Sequence, residues 1–168
     1  IDPMRKWDGT VWSSWTAIAD PSSAPTLAKT GPKDDNVRLY YRYVWYNDTG
    51  NTFASTAAFV DDMPYNLDAD NYVTVTLPAA PAGALWTGIF RGTIAGEEVY
   101  LDKVPATQTV FLDKGYIEPD DTLSIPRANT TAGFHFKYVD VYRNTIVGVT
   151  TELGDDTLVG SGGGDKID

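Results

Sequence analysis

An all-β sandwich is the fold this sequence predicts, on three observations. Apolar and polar residues alternate in short runs, no window sustains a 3.6-residue period, and 15 Gly and 10 Pro punctuate the intervals between runs. Helix content is therefore expected below about 10%. The length of 168 residues allows one ordinary domain or two small ones. A domain near that size buries roughly 68–70% of the surface its unfolded chain exposes, enough for a real core.

The charge balance narrows the partners. Net charge is -10, and the 13 Lys and Arg are scattered, with no run longer than Arg5-Lys6. Phosphate binding needs a clustered basic patch, so no nucleic-acid partner is expected, and the same sign repels anionic headgroups. No apolar run approaches the roughly 18–20 residues of a membrane span, so none is expected. There is no Cys, which excludes disulfides and thiolate metal sites. Met4 is read as a natural start, which brings the chain to its site without a secretory leader.

Taken in order, the chain first offers Trp7-Asp8-Gly9-Thr10-Val11-Trp12-Ser13-Ser14-Trp15, an Asp-Gly turn signal among aromatic residues. That is the composition of a small hairpin. Trp7, Trp12 and Trp15 are candidate binding residues, as a sugar-stacking or docking tab, or else they cover one end of the domain. Asp20 to Pro25 reads as a linker and Lys29 to Asn36 as a loop. Leu39 to Asn47 then forms the most strongly apolar run, a central strand. Period-two alternation turns Leu39, Tyr41, Tyr43 and Trp45 to the core and Tyr40, Arg42, Val44 and Tyr46 outward. Tyr and Arg are enriched at interface hot spots, so Tyr40, Arg42 and Tyr46 are interface candidates. Asn47 to Gly50 turns the chain into a strand over Phe53 to Val60. Tyr72 to Leu77 is another strand, and Leu85 to Arg91 answers the central one, burying Ile89 with its rings.

The run Tyr41-Arg42-Tyr43-Val44-Trp45-Tyr46-Asn47, with Gly50, Thr52 and Ser55, resembles the F–G hairpin of fibronectin type III domains. Tyr43 and Trp45 stand where that family usually has Val and Ala. Ile89-Phe90-Arg91-Gly92 is similar to its C strand, and Glu98 to Leu101 and Thr109 to Gly115 resemble the two strands that follow. An F–G-like hairpin thus precedes B–C–C′–E-like strands, as in a permuted module. With Pro119 to Thr122 and the run Ile125 to Ala132, the arrangement looks like modules of tailed-bacteriophage structural proteins. The resemblance covers about residues 24–133. It implies a fibronectin-III-like or immunoglobulin-like sandwich over 20–133, flanked by a Trp-rich docking segment at 1–19. Residues 134–168 are read as a β-hairpin and Gly-rich tail, or the start of a further domain.

Chemical constellations are sparse. Leu153 to Leu158 and Gly162 to Ile167 fall nine residues apart with Gly, Asp and an aliphatic residue in register, resembling the calcium-binding nonapeptide of RTX proteins. Asp156 and Asp165 are its candidate ligands, and Ca²⁺ is the one cofactor it would imply. The first repeat has Thr151-Glu152 where Gly-Gly is usual, and about three repeats are needed for a solenoid, so a hairpin with a flexible tail is the competing reading. Recurrent Asp doublets sit in turn-like loops and read as solvated acids. His135, the one histidine, falls outward on a strand with no nucleophile elbow. No enzyme is expected. The function read from the resemblance is that of a non-catalytic structural or adhesive protein of a phage virion, in its tail or a capsid-surface appendage. Its partners would be virion proteins or copies of itself, with a host-surface glycan as a further one. The alternative is an accessory carbohydrate- or surface-binding module of a secreted bacterial protein, with or without calcium.

Overall fold

The computed structural model of the chain describes residues 5–7, 10, 12–14, 17–32, 35–132, 136–142, 145–150 and 157–160. These hold thirteen strands, all paired antiparallel, and no helix. The chain divides into two compact units: Ile1–Trp15 together with Ala132–Asp168, and Thr16–Thr131. The division differs from the reading of 1–19, 20–133 and 134–168 as successive pieces, since both ends of the chain fall in one unit.

In the first unit, β1 (Arg5–Trp7) and β2 (Trp12–Ser14) form the hairpin the Asp-Gly signal predicts, with Trp7 opposite Trp12. Its other sheet is a meander of β11 (Phe136–Tyr142), β12 (Thr145–Thr150) and β13 (Thr157–Gly160). The third strand was not foreseen: the pairs Val149–Leu158 and Val147–Gly160 bring into a sheet residues read as a repeat and a flexible tail.

The second unit has a three-stranded sheet and a five-stranded one. The first has the order β3-β6-β9, from β3 (Thr26–Thr30), β6 (Tyr72–Thr76) and β9 (Val110–Asp113). The second has the order β10-β8-β7-β4-β5, from β10 (Asp120–Ser124), β8 (Val99–Pro105), β7 (Trp86–Gly92), β4 (Val37–Tyr46) and β5 (Ala58–Met63). The central strand β4 pairs with β7 over Tyr40–Tyr46 and with β5 over Val37–Tyr41, and the segment around Thr52 and Ser55 covers the rest of its second edge, so it carries large residues on both faces. Leu39, Tyr41, Tyr43, Trp45 and Ile89 meet Val73, Val75 and Phe111 of the other sheet in one core, in the inward register alternation predicts. Tyr43 and Trp45 pack ring against ring at 5.3 Å and 59°. Rings this long reach the margin of the core, and there the Tyr43 hydroxyl donates to the Ser23 carbonyl at 3.0 Å.

The turn after β4 explains why β5 starts at Ala58 and not near Phe53. Thr52 and Ser55 are buried, and their hydroxyls accept from the Trp45 and Tyr43 amides at 3.1 Å each. The Thr52 and Ser55 amides in turn donate to the Trp45 and Tyr43 carbonyls at 2.9 Å. Side chains complete a ladder that a regular strand would complete with backbone. The segment over Asp20 to Pro25 is likewise no free linker, since Pro25 is buried and Asp20 Oδ1 accepts from the Phe53 amide at 3.0 Å. Part of the expected loop over Lys29 to Asn36 is strand β3, and Lys29 Nζ bonds the Asp62 carbonyl.

Candidate functional site

Two features of the second unit stand out: the outward face of the five-stranded sheet, and a cleft at one end of the sandwich. The face follows from register. Tyr40, Arg42, Val44 and Tyr46 alternate with the core residues of β4, and opposite them stand Gly92, Phe90, Gly88 and Trp86 of β7. Tyr40 is flanked on its other side by Phe59, and Phe90 by Tyr100. The outward surface therefore carries six aromatic rings: Tyr40 and Tyr46 of β4, and four that the central-strand pattern could not show, two on β7 and one each on β5 and β8.

The rings are held by one another and by cations. Tyr40 and Phe59 lie 5.9 Å apart, and Phe90 meets Tyr100 edge-on at 5.8 Å and 81°. Phe59 is 53% exposed, with the Arg38 guanidinium 4.4 Å over its ring, and Trp86 is 40% exposed, with Lys103 Nζ at 5.1 Å. Tyr46 lies flat over Gly88, where a Cβ would stand 2.6 Å from Tyr46 Cε2. That glycine is what lets the ring down onto the sheet. Burial raises the Tyr46 phenol pKa, helped by the neighbouring Tyr100.

The three interface candidates on β4 thus share one face, but none stands free of it. Tyr40, Arg42 and Tyr46 are half-buried, and Val44, expected to meet water, is buried beneath its neighbours. Arg42 Nη1 donates to the Ser55 carbonyl at 2.9 Å, and its Nε lies 3.2 Å from Glu98 Oε2. Glu98 is 0% exposed. The pair is close but poorly aimed: Arg42 Nε and Glu98 Oε1 have no hydrogen-bond partner among the described residues. A buried pair so incompletely satisfied adds little stability.

The cleft, about 380 Å³, opens where β4 begins. Its walls are the chain around Tyr65 to Leu67, the β7–β8 turn from Gly92 to Glu97, and the stretch Gly115 to Pro119. In its floor Arg91 Nη1 donates to both Asp113 oxygens, at 2.9 and 2.7 Å. Asp113 is buried and also accepts from the Tyr41 hydroxyl at 2.7 Å and the Gly115 amide at 3.1 Å. Burial, and next the Asp113 carboxylate, push the Tyr41 phenol well above its usual range. Gly115 has φ +70°, and a Cβ there would fall 2.5 Å from the Leu67 carbonyl oxygen, so two of the walls touch backbone to backbone. Nothing in the sequence marked this cleft, because its parts come from three separated segments.

At the opposite end the chain's arrival and departure are fastened together. The Ile18 amide donates to Thr131 Oγ1 at 2.8 Å, and Asn129 Nδ2 donates to the Ile18 carbonyl and to Asp20 Oδ1, both at 2.8 Å. Asn47 Nδ2 and Asn51 Nδ2 add bonds to the Thr131 and Ala128 carbonyls at 2.9 Å.

The other sequence candidates are placed only in part. Trp7 and Trp12 are opposed in the β1–β2 hairpin. Trp15, His135 and the calcium candidates Asp156 and Asp165 lie outside the described residues. Among the described residues no three His, Cys, Asp or Glu side chains gather as a metal site, and no helix is long and apolar enough to cross a membrane. No protein-family model, no curated protein and no solved structure matches this chain.

Proposed function

We propose that this chain is a non-catalytic structural or adhesive protein of a phage virion, in the tail or a capsid-surface appendage, acting through contacts with copies of itself or with other virion proteins. One observation carries this reading: the six-ring outward face of the five-stranded sheet. Monomers rarely expose such a surface without a partner, and Tyr, Trp and Arg are the residues that concentrate binding energy at interfaces. Here Phe59 and Trp86 stand at its two ends, half open, over a floor already buried by Val44 and Phe90. The floor is built in advance, so a partner needs to order only the outermost side chains.

The finer fold reading supports the same direction. In the five-stranded sheet the strand similar to a fibronectin C strand pairs with the first strand of the F–G-like hairpin, and the C′-like strand lies on its far side. That neighbour order is compatible with a rearranged fibronectin-III-like module. Its phage assignment rests on the resemblance alone, since a sandwich by itself licenses no function.

The test is the mass of the intact chain in solution over a wide concentration range, before and after Trp86→Asp. An oligomer or a concentration-dependent association that the substitution abolishes, with unchanged melting, supports the proposal. A chain that stays monomeric at millimolar concentration overturns association with itself. In that case, failure to co-sediment with purified virion particles overturns the remainder.

A further inference from the structure

The end cleft has a chemistry different from the aromatic face. Arg91 lines its floor and bonds both Asp113 oxygens through Nη1. Asn66 and Thr93 in the walls can both donate and accept, and Glu97 and Glu118 at the rim can only accept. Over these polar groups stand two free apolar side chains, Tyr65, 79% exposed, and Ile94, 56% exposed. Donors, acceptors and a bare ring therefore converge on about 380 Å³.

Charge and size select among ligands. Asp113 already neutralises Arg91, so the two rim carboxylates leave the cleft negative and an anion is repelled. A basic peptide would satisfy Glu97 and Glu118 but would bring a cation close to the Arg91 guanidinium. A neutral polyol satisfies every group at once, because each hydroxyl donates to a carboxylate or accepts from a guanidinium. The C–H face of a pyranose ring matches an exposed phenol. The volume lies near the lower end of the roughly 300–1,000 Å³ of small-molecule sites, which suits the end of a chain and not its middle.

The walls are set before any ligand arrives. Gly96, at φ +89°, lets the β7–β8 turn close, and its amide donates to Glu98 Oε2 at 3.0 Å. The Glu97 amide donates to the Ile94 carbonyl at 3.2 Å, and the Gly115–Leu67 approach fixes the other side. Pre-ordered walls reduce the entropy lost on binding. We infer that this cleft is a saccharide site, which takes one or two rings at the end of a neutral glycan. The site is distinct from the Trp7, Trp12 and Trp15 segment and stands independently of the aromatic face.

The experiment is a titration of the intact, isotope-labelled chain, followed by backbone NMR, with N-acetyllactosamine, cellobiose and maltotriose as neutral probes. Sialyllactose and a lysine-rich pentapeptide serve as comparators. At least one neutral sugar should shift the amides of Thr93, Ile94, Glu97 and Gly115 with a dissociation constant at or below about 1 mM, weak but specific. Tyr65→Ala and Glu97→Ala should each weaken it about tenfold, a loss of about 1.4 kcal/mol, while Trp86→Ala leaves it unchanged. Silence from all three sugars at about ten times that concentration overturns the inference. So does tighter binding of sialyllactose or the peptide in the cleft, or sugar binding that Trp86→Ala abolishes and Tyr65→Ala spares. A monomer that binds sugar would sink the assembly reading and leave this one, and an oligomer with a silent cleft would do the reverse.

Discussion

The two ends of the sandwich are built from the same strands and treat their polar groups in opposite ways. At the end where β4 finishes, Asn47, Asn51, Asn129 and Thr131 direct their side chains into backbone carbonyls and amides of neighbouring segments. Short amides and hydroxyls reach only locally, so they close that end on itself. At the end where β4 begins, the polar side chains are long or charged, and Arg91, Glu97 and Glu118 line one cleft. The difference teaches that fixed geometry alone does not mark a site. Both ends are fixed, but only one leaves bonding capacity unspent.

The comparison can be broken most severely at Asp113. Asp113→Ala strips Arg91 and the Tyr41 hydroxyl of their common partner inside the protein and should cost about 3–5 kcal/mol in denaturant unfolding. A loss below about 1 kcal/mol would mean that water takes over the carboxylate's role and that the cleft floor is not buried as described. At the other end, Asn129→Ala removes the donor to Ile18 and Asp20 and should cost about 1–3 kcal/mol. Saccharide shifts in the cleft should persist in that variant. Loss of both together would show that the ends are coupled.

A pH series sharpens the contrast without mutation. The Tyr41 phenol is held well above its ordinary 10.0, by burial first and the Asp113 charge second. The unfolded chain then releases its proton while the native state keeps it. Stability is therefore full below about pH 10 and falls as pH rises past it toward the native-state value. The denaturation midpoint should decline over that alkaline range, and Tyr41→Phe should flatten the decline. A slope unchanged by Tyr41→Phe would assign it to Tyr43, Tyr46 and Tyr100, which burial also raises. The smallest effect is expected from Tyr65→Ala, within about 0.5 kcal/mol of the parent in stability because the ring is exposed. A larger destabilisation would make Tyr65 a packing residue and weaken its role as a sugar platform.

The central strand was legible in the sequence because its faces differ by a strict period of two: Tyr41, Tyr43 and Trp45 are inward with Ile89, as alternation requires. The polar run that follows was legible as a turn, and Asn47, Gly50, Thr52 and Ser55 all shape it. What could not be read was everything set by partners distant in sequence. Val44 is fully buried although alternation turns it outward, so no local pattern announces it. Strand β10 is exposed at every residue and pairs irregularly with β8, which leaves no alternation to detect. Likewise, Phe59, Trp86 and Tyr100 reach the aromatic face only because of their register with β4 and β7. The cleft unites residues more than 50 positions apart in the chain, from Leu39 to Pro119.

The fastening between Ile18 and Thr131 also has a mechanical meaning. A pull applied to the chain on either side of this unit arrives at two residues that are already joined, and the load crosses directly from one to the other. The sandwich hangs beside the line of force like a bead on a knot and is not a link within it. Stretching the polypeptide at modest tension therefore leaves the sheets unloaded. Only when the bonds of Thr131 and Asn129 give way does tension enter β3, and the unit then yields a long length of slack in one step.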